Sequence, residues 1–460
     1  MASKVYFADF RCPSWRENLQ QKLARLMMSA GFGDIDMEGK YVAIKLHFGE
    51  PGNMAYLRPN WAKAVADLVK SKGGKPFLTD CNTLYIGGRK NALDHIESAY
   101  VNGFTPYSTG CHIIIADGLK GNDEVSVPVE GGEYVKEAKI GRAVMDADVF
   151  ISLTHFKGHE QAGFGGCMKN IGMGCGSRAG KMEQHNSGKP FVKQKKCVGC
   201  HSCAKICAHG APTFDADNKA SIDTSKCVGC ARCLAICPTD AIQCMYDEAP
   251  SILNKKIAEY TKAVVQSRPC FHVSLVMDVS PNCDCHSEND VPIVPNVGMF
   301  ASFDPVALDQ ACIDAVLAQP KMPNSVIGGA DCDCADHFKA AHPDVDWEAC
   351  LSHGEKIGLG SREYELVKMR AVGSPFALFI LSALGNDAQR PFHVLHAVEH
   401  HAGSVVLFAE RGAERVSRQP AQLVFSLRLR LAAQQQTVLL VGGAVDLNVI
   451  HLAKLHGVHG

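Results

Sequence analysis

Two short stretches of this chain concentrate metal chemistry. Residues 197–207 read CVGCHSCAKIC and residues 227–238 read CVGCARCLAICP, so C-x-x-C-x-x-C-x-x-x-C occurs twice, thirty residues apart. Three thiolates at this spacing wrap three irons of one cubane, and the fourth, carried further by a turn of helix, reaches the other cluster. The repeat therefore predicts two 4Fe-4S clusters with crossed ligation. Cys197, Cys200, Cys203 and Cys237 would hold the first, and Cys227, Cys230, Cys233 and Cys207 the second. A pair of zinc sites is the competing reading, but the third and fourth positions have iron–sulfur rather than zinc-ribbon spacing. The second motif ends Cys237-Pro238, whereas the first ends Cys207-Ala208 with its proline delayed to Pro212. That departure should alter local geometry or potential rather than abolish a cluster.

A second concentration lies just upstream, in THFKGHEQAGFGGCMKNIGMGC (154–175). It follows the apolar run DVFISL and holds His155, Lys157, His159 and Lys169 among glycines. The lysines suit a carboxylate or phosphate, and the histidines could ligate a metal or move protons. The pair Gly165-Gly166 would let backbone N–H groups approach a ligand closely. The structural alternative is a glycine-rich connection whose histidines cap backbone groups. Two more polar loops follow apolar runs: His47 to Asn53 with Arg58, and Asp80 to Thr83 with Tyr85 and Arg89. Three such loops could converge on one pocket. Asp80 could equally be a helix cap.

Further on, NCDCHSEND carries Cys283, Asp284, Cys285, His286 and Asp290, and DCDCADH carries Cys332, Cys334, Asp336 and His337. Each Cys-x-Cys sets two sulfurs on one side of an extended backbone. Cys283 and Cys285 are the stronger candidates for one further thiophilic metal ion. Reduced free thiols are the alternative.

The elements that must position these residues alternate. YVAIKLHF (41–48), PFLTD (76–80), CHIIIADG (111–118), DVFISLT (148–154) and FHVSLVMDVS (271–280) read as strands, with 111–118 and 148–154 apolar enough to be buried on both faces. Helices are expected over 59–74, 89–103, 251–267 and 304–319. The pattern predicts an α/β fold, a mostly parallel sheet domain formed by residues 1–190 and 248–370, with the cysteine-rich residues 191–247 inserted. Residues 371–460 differ in kind: they hold none of the 21 cysteines and no Met, Trp or Tyr, and read as an appended extension, poorly ordered or regulatory.

Apolar content of 46%, charge of 21% and a net charge of −1 are ordinary for a globular chain and suggest neither a nucleic-acid nor a membrane partner. No apolar run approaches the ~20 residues that span a bilayer. The N-terminus MASKVYFADF lacks the pattern of a signal peptide, so a cytoplasmic, reducing compartment is expected. No G-x-G-x-x-G follows a strand, and there is no P-loop.

The insert resembles a bacterial-type two-cluster ferredoxin domain. KLHFGEPGN, TDCNTLYIGGR, THFKGH with GFGGCMKNIGMG, NCDC and FDPVALDQA occur in that order. Together they resemble the domain-of-unknown-function 362 family in its ferredoxin-containing form, over residues 3 to 369. The resemblance implies an α/β domain with an inserted two-cluster segment and supplies no reaction. The expected function is an iron–sulfur oxidoreductase. Electrons would enter through the clusters from a redox partner protein and reach a small anionic substrate held by the His47, Asp80 and His155–Lys169 loops. A carrier without catalysis of its own, or a metal-dependent non-redox protein, are the alternatives.

Overall fold

The computed structural model describes residues 2–369 apart from 14, 186–188, 247 and 330–334. Beyond 369 it describes three strands, Val406–Ala409, Leu423–Leu431 and Gln434–Gly442. The chain divides into two compact units, one of residues 1–12 and 17–369, the other of residues 13–16 and 370–460. In the second, the three strands pair antiparallel in chain order. The expected character of 371–460 and the Cys332/Cys334 pair otherwise lie outside the described residues.

The first unit is an α/β fold around an eight-stranded sheet. Its strands are β1 (Ser3–Ala8), β2 (Tyr41–Lys45), β3 (Lys75–Asp80), β4 (His112–Ile115), β5 (Val149–His155), β6 (Cys270–Val276), β7 (Gly298–Ser302) and β8 (Tyr364–Lys368). They lie in the order β8-β1-β7-β6-β5-β2-β3-β4. All neighbours pair parallel except β7, which runs antiparallel to both β1 and β6.

Side-chain alternation sends the two faces of the strands into two cores. Ile44, Ile151, Leu153, Val273 and Leu275 pack with helix α1 (Leu19–Ser29) and helix α2 (Pro59–Ser71) through Leu23, Leu26, Trp61 and Val65. Ala43, Phe150 and Phe300 face the other way, toward helix α6 (Pro250–Val265) and helix α7 (Pro305–Leu317), through Ile257, Val264, Leu308 and Ile313. Caps fix where the helices begin. Asn18 and Gln21 form a capping box on α1, and Asp304 accepts from Val306 and Ala307 ahead of α7.

β4 departs from expectation. His112 and Ile114 are exposed, because β4 is the sheet's edge and its apolar run is covered on one side only. The expected helix over 89–103 is shorter, α3 (Ala92–Val101), since Asn91 caps it and leaves Arg89 outside.

The larger correction concerns residues 154–175. The glycine-rich loop is instead the end of β5, a hairpin of Lys157–His159 with Gly163–Gly165, and helix α4 (Cys167–Cys175), followed by helix α5 (Arg178–His185). Its glycines admit neighbouring backbone. A Cβ on Gly158 would lie 2.1 Å from Pro281 O, and one on Gly172 2.2 Å from Ile257 O.

The cysteine-rich segment is closed at its base by Pro190–Val192 pairing with Ile242–Cys244. It holds a second pair, Pro212–Phe214 with Ala220–Ile222, and two short helices, Ser202–Ile206 and Arg232–Ile236.

Candidate functional site

β2, β3, β5 and β6 end on one edge of the sheet, and the segments leaving them line a cavity of about 630 Å³. Ligands of parallel α/β sheets bind at this edge. Of the expected site residues, His47, Asp80, Lys157, His159, Gly165, Gly166, Lys169, Cys283 and Cys285 all line the cavity.

Asp80, at the end of β3, is a buried counter-ion. Its carboxylate lies 3.1 Å from Lys45 Nζ, 3.6 Å from Arg89 and 3.7 Å from His95. Burial would raise its pKa, but Lys45, His95, Lys181 and Arg89 hold it below the usual range. Arg89 also donates to Glu50 at 2.9 Å and to the Tyr85 hydroxyl. Lys45 is fixed further by Asn170 Oδ1 at 2.8 Å. His47 accepts from Gly49 N–H through Nδ1 at 3.0 Å, which leaves its ring proton on Nε2. Burial, with Arg89, Lys157, Lys45 and Lys169 nearby, keeps this ring neutral.

His155 lies beneath the cavity. Its Nε2 contacts Met277 O at 2.8 Å and its Nδ1 contacts Asp284 at 2.9 Å, so both ring nitrogens are engaged by protein. It anchors rather than ligates. Lys157 joins it on Asp284 at 3.0 Å. Burial would raise the Asp284 carboxyl; His155 and Lys157 hold it well below its ordinary value. With Asp284 turned inward, the flanking Cys283 and Cys285 reach the cavity. The hydrogen bond from His286 N–H to Cys283 O, 3.1 Å, closes this segment as a turn.

The Cys283 and Cys285 sulfurs and a His159 ring nitrogen lie within 4.8 Å of one another. Glu160, Cys285 and His286 form an adjacent group on the same criterion, with His286 Nε2 3.3 Å from Glu160. Cys283 is held well below the ordinary thiol range by a hydrogen bond from Cys285, with Lys169, His159 and Lys157 also acting against burial. Sharing that proton pushes Cys285 up.

The Gly165-Gly166 pair lines the wall with backbone, but the missing side chain at Gly166 makes room for Asp309. A Cβ there would lie 2.4 Å from Asp309 Oδ1. Asp309 accepts from Cys167 and Met168 N–H at 2.7 and 2.8 Å and so caps α4. This helix carries Lys169 into the cavity. Among the described residues, Lys169 has no ion-pair or hydrogen-bond partner.

Cys197, Cys200, Cys203 and Cys237 line one small cavity of the cysteine-rich segment. Backbone N–H groups donate to two of these sulfurs, Ala220 to Cys197 at 3.3 Å and Ala241 to Cys237 at 3.2 Å. Cys233 is pushed up to about 12 by burial and by the neighbouring Cys227, Cys230 and Cys203. Cys207 is half-buried and Cys200 exposed. The two motifs fold alike: Gly199 and Gly229 take positive φ of 66° and 72°, and His201 and Ala231 take 58° and 55°.

This segment and the larger cavity share a wall. Leu84 lines the cavity and packs into the segment's core with Cys197, Cys203 and Leu234. Tyr246 lines it too, edge-on to His185 at 4.8 Å. Sequence reading missed Leu84, Lys45, Lys181, His185 and Tyr246 as site residues. For Lys45, a charge inside the apolar run YVAIKL was the available signal.

Residues 42–314, which span the cavity loops and the cysteine-rich segment, match the family model described as Domain of unknown function (DUF362). The chain belongs to this family. The chain is also similar to Thylakoid-associated protein sll1697 of Synechocystis sp., with 29% identity over 154 residues. The match covers 32% of this chain and 42% of that protein, so the chain spans less than half the length of the curated relative. A solved Thermotoga maritima protein aligns with a TM-score of 0.35 and 13% identity, over 66% of this chain and 60% of that one. The lactate racemase apoprotein from Thermoanaerobacterium thermosaccharolyticum aligns with a TM-score of 0.31 and 12% identity, over 60% and 51%. The DUF362 chain thus has an α/β fold and many cysteines placed where metal could bind. No helix among its described residues is long and apolar enough to cross a membrane.

Proposed function

We propose that this chain is a cytoplasmic iron–sulfur oxidoreductase in which the cysteine-rich segment is a two-cluster ferredoxin-type insert serving the α/β cavity. The observation that carries this reading is the shared wall: Leu84 belongs both to the cavity and to the core around Cys197 and Cys203. Electrons arriving in the insert would reach the cavity through this common apolar wall.

The donor set fits the group. Cys237 of the second motif joins Cys197, Cys200 and Cys203 of the first in one cavity, as crossed ligation requires, whereas two independent zinc sites would keep each motif's cysteines together. The amides of Ala220 and Ala241 would stabilise the charge on cluster-bound sulfur. Cys227, Cys230, Cys233 and Cys207 would hold the second cluster. Each cluster supplies one electron at a time when bound.

The chain's own residues supply the rest. Lys169, with no ion-pair contact among the described residues, binds the anionic group of a small substrate. His47, neutral with its proton on Nε2, is placed to donate a hydrogen bond to the substrate, and the protons that follow the electrons come from water. Asp80 and Asp284 hold Lys45, Arg89 and Lys157 in place. The exposed Cys200 side of the insert would face the redox partner protein.

The test is iron and acid-labile sulfide content of protein purified without oxygen, with EPR after reduction. About eight of each per chain is expected; two or fewer iron would overturn the reading. Lys169→Ala should keep the clusters and slow their reoxidation by small carboxylate acceptors at least tenfold. An unchanged rate would make the chain a carrier without catalysis.

A further inference from the structure

Cys283 and Cys285 are not absorbed by that mechanism, yet they line the cavity with their sulfurs and a His159 ring nitrogen within 4.8 Å. Three features decide what this group does. The first is the turn. Residues i and i+2 of an extended chain are about 7 Å apart, at the outer edge of disulfide reach. The His286 N–H to Cys283 O bond folds this segment and draws the two cysteines inside it. The second is the histidine. His159 Nδ1 accepts from the backbone N–H groups of Gln161 and Ala162 at 3.1 and 3.2 Å, so its proton sits on Nε2. A ring in that tautomer offers the sulfurs a donor, whereas a metal would need a lone pair there. The third is the anchor. Asp284, between the cysteines, is held by His155, by Lys157 and, through its carbonyl, by Glu50 N–H at 2.9 Å.

We infer that Cys283 and Cys285 form a redox-active dithiol that gathers two single electrons and passes them as a pair to a small disulfide bearing carboxylate groups. This rests on the iron–sulfur reading for its electron supply. The stoichiometry closes: the Cys283–Cys285 disulfide takes one electron from each of two clusters and two protons from water, its S–S bond breaks, and two thiols result. In the second half, one cysteine sulfur attacks the bound disulfide and forms a mixed disulfide as the first substrate thiolate leaves and takes a proton. The other cysteine then attacks that cysteine's sulfur, restoring the Cys283–Cys285 bond and releasing the second thiol. Lys169 beside the pair accounts for the preference for an anion.

The full chain, purified without oxygen, is exposed to oxidised glutathione (an anionic disulfide) or to cystamine (a cationic one). Free thiols are alkylated, and the peptides are read by mass spectrometry beside a metal analysis. One bond between Cys283 and Cys285 should form, at least tenfold faster with oxidised glutathione, and Lys169→Ala should erase that preference. If both cysteines stay alkylatable, or form only at equal rates with the two probes, the inference fails. It also fails if wild type retains one stoichiometric metal beyond iron that Cys283→Ser and Cys285→Ser each lose, which would make the group a metal site. Disulfide formation in protein lacking iron and sulfide would sink the iron–sulfur reading and leave the dithiol. Full clusters with an inert pair would do the reverse.

Discussion

The insert and the α/β cavity organise their reactive residues in opposite ways. In the cysteine-rich segment, local spacing repeats: left-handed residues at Gly199 and His201 recur at Gly229 and Ala231, in the same places of the two cysteine motifs. In the cavity, the sheet brings together residues from segments spread over Lys45 to Glu288. The insert's chemistry is therefore local and repeated, and it should fail one ligand at a time. The cavity's chemistry is held by a few buried charges, and it should fail through those.

The largest expected effect is at the insert. Cys203→Ser should halve the iron, from about eight to about four per chain, while the cavity still binds a small anion. Loss of both would erase the contrast. Next is the anchor of the cavity. Asp284→Asn leaves Lys157 buried without its carboxylate, and should cost about 3–5 kcal/mol in denaturant unfolding with iron content unchanged. A cost below about 1 kcal/mol would show the anchor to be dispensable. Leu84→Ala tests the wall where the two regions meet. It should cost about 2–4 kcal/mol and lower both iron retention and anion binding, where a change in only one would divide the wall.

The most gradual effect concerns pH. Burial holds the folded His272 pKa down at about 3, against about 6.5 unfolded. Between those values the unfolded chain binds the extra proton, so stability is full above pH 6.5 and falls as pH drops toward 3, by at most about 1.4 kcal/mol per pH unit. His272→Gln keeps a partner for Ser152 and should flatten the fall in melting temperature between pH 6.5 and 4.5. An unchanged slope would place the acid sensitivity elsewhere.

The same contrast sets what the sequence disclosed. The two cysteine motifs were legible because their spacing is local, whereas the approach of Cys237 to Cys197, Cys200 and Cys203 is a contact between motifs that only the fold displays. The α/β alternation was legible because periodicity is local. The cavity was half legible: apolar runs ending in polar residues pointed to His47, Asp80, Lys169 and Cys283. What each does depended on the partners that the fold brings to it. Asp80 proved a counter-ion because of Lys45 and Arg89, and His155 an anchor because of Asp284 and Met277. The glycines of 158–172 suggested a ligand loop; Pro281 and Ile257, far along the chain, claim that space instead.

The reversed strand β7 carries one last implication. A crossover between parallel strands must travel from one end of a sheet to the other, so altering it disturbs packing along the whole way. Because β7 returns beside β6, residues 277–297 leave and re-enter the sheet at the same end. Both ends of the segment that carries Cys283 and Cys285 are therefore fixed by neighbouring strands, and its middle is tied down by Val279, Ile293 and Val294 in the core and by Asp284 on His155 and Lys157.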